Sequence, residues 1–349
     1  MPTDLLRRLR LALMLATAIL VASAPLLAKM RSDGNSQIIE FQPTSKEATP
    51  PVITTLAVHP SGNLLATAGD DHHVRIWNAA DGTLRLTLTG HSDWVRTLDY
   101  SNDGRLLATA GNDRRIILWD GQTGQLQQVL ADHPQAVSKL EFSHDGRLLA
   151  AVGFEPKLRI YDLATGQLKH TLGCPCTDMR AVAFSPDDNT IVAGGRNGRL
   201  RWWNVNSGRE LGSLPAHEQR IRQLDFSRDG RLVFTCSEDR YIAAWDLAAE
   251  QEAFRLPRCE AKQFALTVID DERIATAGSD NVIRIWNFAE QRELHALRGH
   301  TGTIHALTAI NGSLISGSYD TTVRLWNIGG PIIHQREARV TAPAHGGAQ

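Results

Sequence analysis

The chain has 349 residues, 42% of them hydrophobic and 21% charged, with a formal net charge of −1. A near-neutral balance gives no bulk attraction to nucleic acid or to an acidic membrane, so any charged site has to be local. The four cysteines show neither C-x-x-C-H nor zinc-ligand spacing, so the sequence implies no cofactor and no metal site.

Residues 1–28 read as an export signal. Arg7, Arg8 and Arg10 precede an apolar run of 14 residues, 11–24, which is short for a spanning helix and is interrupted by Pro25. Ala22-Ser23-Ala24 has the small-residue cleavage pattern, and cleavage after Ala28 is the second candidate. Left uncut, residues 11–28 would form an anchor helix with the arginines kept inside. The expected location is therefore exported, periplasmic or extracellular, or else anchored to the membrane by that segment. Residues 29–51 read as a polar linker containing one strand-like run, Gln37–Phe41.

From residue 52 to 330 the chain repeats. Between residues 90 and 120, three short runs alternate apolar with polar residues: Val95–Tyr100, Leu106–Gly111 and Ile116–Asp120. That is the period of half-buried strands. Asn102-Asp103-Gly104 and Asn112-Asp113 separate the runs as turns, and a fourth run, 125–130, follows Thr123-Gly124. A lone four-stranded unit cannot bury both faces, and its neighbours are in the sequence. Trp77-Asn78, Trp119-Asp120, Trp203-Asn204, Trp245-Asp246, Trp286-Asn287 and Trp326-Asn327 recur, with Tyr161-Asp162 in the remaining slot. The intervals are 42, 42, 42, 42, 41 and 40 residues, which makes seven units. Asp81-Gly82, Thr123-Gly124, Thr165-Gly166 and Ser207-Gly208 join the last two strands of units one to four. Units five and six have Ala249-Glu250 and Ala289-Glu290 instead, and longer or looser turns are expected there. Residues 331–349 are expected to be a flexible tail.

A Gly-His followed by a Trp-Asp at this period resembles the WD-repeat β-propeller family. The resemblance implies an all-β fold: a seven-bladed β-propeller of four-stranded antiparallel blades, preceded by the signal or anchor helix. It also implies that an N-terminal strand completes the last blade. Gln37–Phe41 is the expected outer strand there, with residues 332–337 as the rival closer.

Three units carry a His, a hydroxyl, an Asp and a Trp in register: His91, Thr109, Asp113 and Trp119; His217, Thr235, Asp239 and Trp245; His300, Ser316, Asp320 and Trp326. These match the family's structural tetrad. A catalytic triad would need one accessible nucleophile with an oriented base and an oxyanion hole, and three equivalent copies around a ring do not supply that. No catalytic residue is therefore assigned. The other units are degraded. Unit three has His133, Ala151, Glu155 and Tyr161; unit four has Pro175, Ala193, Asn197 and Trp203. Unit six has Cys259, Thr276, Asp280 and Trp286, and unit one has Thr49 in the His slot with Thr67 and Asp71. Blades three and four are expected to lack the staple. Cys236 reads as core, and Cys174-Pro175-Cys176 could join a disulfide that leaves Cys259 out of reach.

The family resemblance implies a non-enzymatic scaffold that holds protein or peptide partners on its rigid faces. The alternative is a propeller enzyme, of hydrolase or lyase type, with its site at the central channel; the inner strand ends suggest no convergent His or carboxylate set. The candidate partner-binding residues are Arg180, Arg196, Arg220, Arg222 and Lys262, with Trp94 and Tyr319 as aromatic anchors. They suit an acidic segment. No nucleic acid is expected as a partner, and the membrane only through an uncleaved anchor.

Overall fold

The computed structural model describes residues 28–33, 36–41, 50–130, 133–174 and 178–329. The proposed signal or anchor helix, the cleavage sites before Ala28 and the rival closing strand at 332–337 lie outside these residues. Among the described residues, no helix is long and apolar enough to cross a membrane.

Seven antiparallel sheets form the blades. In each, the second strand is the most buried. Leu64–Gly69 and Leu148–Gly153 are covered at every position, whereas the outer strand Leu126–Val129 is mostly exposed. The reason is composition. Second strands such as LLATAG and LLAAVG alternate branched and small residues, which lets two neighbouring sheets lie against both faces.

No blade has a core of its own. Each buried cluster is shared by two consecutive blades: Leu98 and Trp119 of blade two pack with Ile76 and Leu88 of blade one, and Val182 and Trp203 of blade four with Ile160 and Leu172 of blade three. A fully buried aliphatic side chain contributes about 1.5–3 kcal/mol, so the seams carry the stability and the blades stand only as a ring.

The ring is closed by the chain start. Strand β1 (Ala28–Ser32) pairs with β2 (Gln37–Phe41), and β2 pairs with the Thr322–Asn327 strand in the register Gln37↔Leu325 and Ile39↔Val323. Ile39 is fully buried in the seam between blades seven and one, with Trp77 and Leu65. The Arg324 guanidinium holds Asp33 and donates to the Ser36 hydroxyl at 3.1 Å. The expectation that Gln37–Phe41 is outermost is corrected: β1 lies outside it, and blade seven has five strands. The sequence AKMRS hides this strand because it pairs on one side only and needs no alternating apolar face.

The turns of blades five and six also differ from expectation. They keep the length of the glycine turns, and Glu250 (φ 54°) and Gln291 (φ 53°) take the left-handed position that Gly82 (φ 68°) holds in blade one. The strain is local, not a loosened loop. A non-glycine residue in that region costs about 1–2 kcal/mol.

Candidate functional site

Every blade's inner strand carries the same defect at its start. Val95 pairs with Gly111 and Thr97 with Ala110, so Arg96 is an extra residue with no partner. The same register shift falls after Ile53, Val137, Met179, Ile221, Gln263 and Ile304. A bulge kinks the strand and re-aims one side chain. The seven extra residues are Thr54, Arg96, Ser138, Arg180, Arg222, Phe264 and His305, and all seven line one cavity of about 170 Å³ on the ring axis. In blade two the residue opposite the bulge has to be small, since a Cβ on Gly111 would lie 1.9 Å from the Trp94 carbonyl oxygen; blades five and seven place Ser237 and Ser318 there.

Below this mouth layer, strand alternation returns and presents two further layers. Lys139 and Gln223 belong to the second and line the same cavity. The third holds Asp99, Glu141 and Asp225. Each of these carboxylates accepts a backbone N–H from the next blade in the series or beyond the seam: Phe142 at 2.9 Å, Phe184 at 3.0 Å and Val268 at 3.0 Å. Burial pushes Asp99 up to about 6, Glu141 well above the usual range and Asp225 upward, against the lowering effect of those amides and of Lys139. The expectation of no convergent carboxylate set is therefore corrected. The signal was present, since positions 99, 141 and 225 fall on the 42-residue repeat.

The mouth is a belt of guanidinium groups and rings. Arg180 stacks 3.8 Å from the Phe154 ring centre, Arg222 lies 4.6 Å over Phe264, and Arg96 sits between Phe154 at 5.3 Å and Trp94 at 5.8 Å. His305 packs on Tyr319 at 4.2 Å. Burial lowers the Arg96, Arg180 and Arg222 pKa values, and for Arg180 the neighbouring Arg220 and Arg222 add to this. Burial and Arg222 push His305 down to about 4.

Of the residues named from sequence, the structure brings Arg180, Arg220, Arg222 and Lys262 together. Arg180 meets Asp178 at 3.1 Å, Arg220 bridges Asp178 and Glu238, and Arg222 and Lys262 approach Glu238 at 3.5 and 3.0 Å. Four cations thus share two carboxylates. Trp94 and Tyr319 stand exposed at the rim, at 38% and 41%. Arg196 is exposed and makes no ion pair among the described residues. Sequence reading missed Arg96, Lys139, Phe154, Phe264 and His305.

The three tetrads are hydrogen-bonded in series. In blade two the Trp119 indole donates to Thr109 Oγ1 at 2.8 Å, His91 Nε2 lies 2.8 Å from the same oxygen, and His91 Nδ1 lies 2.8 Å from Asp113. Blades five and seven repeat this with Trp245, Thr235, His217 and Asp239, and with Trp326, Ser316, His300 and Asp320. Burial would raise the Asp113, Asp239 and Asp320 carboxyls, but their His partners and the turn amides outweigh it and hold them low. The hydroxyls of Thr109, Thr235 and Ser316 are fully buried and already accept an indole N–H, so none is an accessible nucleophile.

Blade three has no such series: Glu155 pairs with Arg159 of its own hairpin at 2.8 Å, while His133 Nε2 lies 3.1 Å from Glu155, buried without a hydrogen bond among the described residues, and burial lowers the His133 pKa. Blade four has Asn197, whose side chain accepts only the Arg199 amide in its own turn, and Pro175 lies outside the described residues. In blades one and six the Trp–Thr bond survives, at 2.8 and 3.0 Å, and Asp71 and Asp280 pair with Arg75 and Arg284. Thr49 lies outside the described residues. Cys236 and Cys259 are buried and unbridged; burial pushes the Cys236 thiol upward and that of Cys259 up to about 12. Cys174 is buried, and Cys176 lies outside the described residues. No group of three or more His, Cys, Asp or Glu with metal-binding geometry occurs among the described residues.

Seven antiparallel blades, six of four strands and one of five, with the Trp–hydroxyl–His–acid series in three of them, define a β-propeller of the WD-repeat class. Within that class the chain belongs to the family described as IFT122 first beta-propeller, matched over residues 52–327. Among similar proteins is a DENN domain and WD repeat-containing protein, SCD1, of Arabidopsis thaliana, 36% identical over 72 residues, covering 20% of this chain and 6% of that protein. Mitochondrial division protein 1 of Schizosaccharomyces pombe is 36% identical over 62 residues, 18% of this chain and 10% of its own length. An uncharacterized WD repeat-containing protein, alr2800, of a Nostoc species is 50% identical over 44 residues, 13% of this chain and 4% of its own. These stretches span one or two blades of much longer proteins.

Proposed function

We propose that the protein is a non-enzymatic interaction scaffold whose channel-mouth face docks an acidic segment of a protein partner. The observation that carries this is the uncompensated charge at the rim: Arg180, Arg220, Arg222 and Lys262 against Asp178 and Glu238, flanked by exposed Trp94, Phe154 and Tyr319. Aromatic anchors beside arginines are the usual composition of binding hot spots, and the excess charge steers an acidic partner toward them. The channel carboxylates support the scaffold reading over hydrolase or lyase chemistry, because one oxygen of each is engaged by an amide of the next blade. Residues 1–28 are proposed to export the chain to the periplasm or beyond, or to anchor it through 11–28; fractionation with N-terminal sequencing of the mature chain tests this.

The docking test uses partner captured from the envelope fraction and identified, then mapped by hydrogen exchange. Protection should appear at the loops bearing Trp94, Phe154, Lys262 and Tyr319. The double variant Trp94→Ala/Lys262→Glu should lose capture with its melting temperature unchanged. Protection confined to the outer strands, or full capture by the folded variant at low salt, would overturn the reading.

A further inference from the structure

The cavity beneath the rim has a composition of its own. Its lining includes four cationic side chains, Arg96, Lys139, Arg180 and Arg222, together with Gln223 and His305, and no Asp or Glu is among the described lining residues. Several of these groups lack partners. Arg180 Nε and His305 Nδ1 are buried with no hydrogen-bond partner among the described residues. Lys139 makes no ion pair there, and the nearest acid to Arg222 is Glu238 at 3.5 Å, shared with Arg220 and Lys262. The aromatic rings of Phe154 and Phe264 already fix the Arg180 and Arg222 guanidinium groups, so little side-chain freedom is lost when a ligand arrives.

We propose that this cavity binds a compact oxyanion, a phosphate- or carboxylate-bearing small molecule, on the axis of the ring. Guanidinium groups match the planar pairs of oxygens that such ligands present, and Lys139 supplies a point charge one layer deeper. The volume of about 170 Å³ lies below the roughly 300 Å³ at which pockets for drug-sized ligands begin. The floor sets a further limit. Asp99, Glu141 and Asp225 lie in the layer beyond and oppose a long polyanion threading through. The site therefore selects a short, compact anion. It adjoins the rim that docks a protein segment and shares Arg180 and Arg222 with it.

Inorganic pyrophosphate is the probe, titrated calorimetrically into the full chain at low ionic strength, where charge recognition is strongest. Saturable one-to-one binding is expected. Arg222→Gln and Lys139→Met should each weaken it roughly tenfold or more, the loss of one charge-assisted hydrogen bond. Arg105→Gln, on an exposed turn, should leave it unchanged. Because Arg222 packs on Phe264 and Lys139 offsets the channel carboxylates, each variant is first shown to be folded by circular dichroism, and pyrophosphate should raise the melting temperature of wild type but of neither variant. The rim variant Trp94→Ala/Lys262→Glu should keep pyrophosphate binding within about twofold while losing the protein partner, so the two readings fail separately. No saturable binding by wild type, retained affinity in both interior variants, or an equal loss in Arg105→Gln would each overturn the proposal.

Discussion

Blades two, five and seven differ from blades one, three and six in what meets the turn acid. In the first group the acid holds a histidine from the connection entering the blade, and its oxygen also accepts an amide of that connection, as Asp113 does from Ser92 at 3.1 Å. In the second group the acid meets an arginine four residues further along its own hairpin: Asp71 with Arg75, Glu155 with Arg159 and Asp280 with Arg284. The first arrangement ties two consecutive blades; the second only stiffens one. Blade three belongs with the second group: His133 Nε2 comes within 3.1 Å of Glu155 but makes no hydrogen bond among the described residues, so the tie between blades goes with the tetrad.

The sharpest way to break this comparison is Asp113→Ala. It leaves a buried His91 and the Ser92 amide without their acceptor, and should cost about 3 kcal/mol in denaturant unfolding. Glu155→Ala should follow at about 1–2 kcal/mol, since it leaves the mostly buried Arg159 guanidinium without its carboxylate while that head keeps some access to water. A loss in blade three as small as an ordinary surface change would mean that the Glu155–Arg159 pair does not stiffen its hairpin.

Acid titration separates the tetrads from the channel. The tetrad acids are held low, so their stabilisation is present above the ordinary aspartate range and is lost as pH falls below about 4. Asp99 is held up at about 6, so it opposes folding once ionised: stability falls as pH rises from about 4 to 6. Asp99→Asn keeps an oxygen for the Phe142 amide and should flatten that fall, gaining about 1–2 kcal/mol at pH 7. An unchanged pH profile would show that Asp99 is solvated. The smallest effect belongs to blade four: Asn197→Ala should cost under about 0.5 kcal/mol, because its side chain caps only its own turn.

Much of this was legible in the repeat. Trp77 to Trp326 mark the units because five indoles, of Trp77, Trp119, Trp245, Trp286 and Trp326, find a hydroxyl in the same place, and that need repeats with the fold. The site was legible only in part. Arg180 and Arg222 stood out as charges, but Arg96, Phe264 and His305 were not grouped with them. Simple alternation forbids Arg96 and Thr97 from facing the same way, and the bulge makes both face the channel.

The clasp formed by β1 and β2 also has a consequence in time. Asp33 and Arg324 are 291 positions apart, so the earliest strands translated have no seat until almost the whole repeat has been made. The seam that buries Ile39 between blades seven and one is closed by contacts across the whole repeat, and contacts of such separation are slow to form. A nascent chain released early would carry an apolar hairpin with nothing to cover it, open to proteolysis and to pairing with other chains. Completion of the ring thus acts as a length check, passed only by a chain that reaches Asn327.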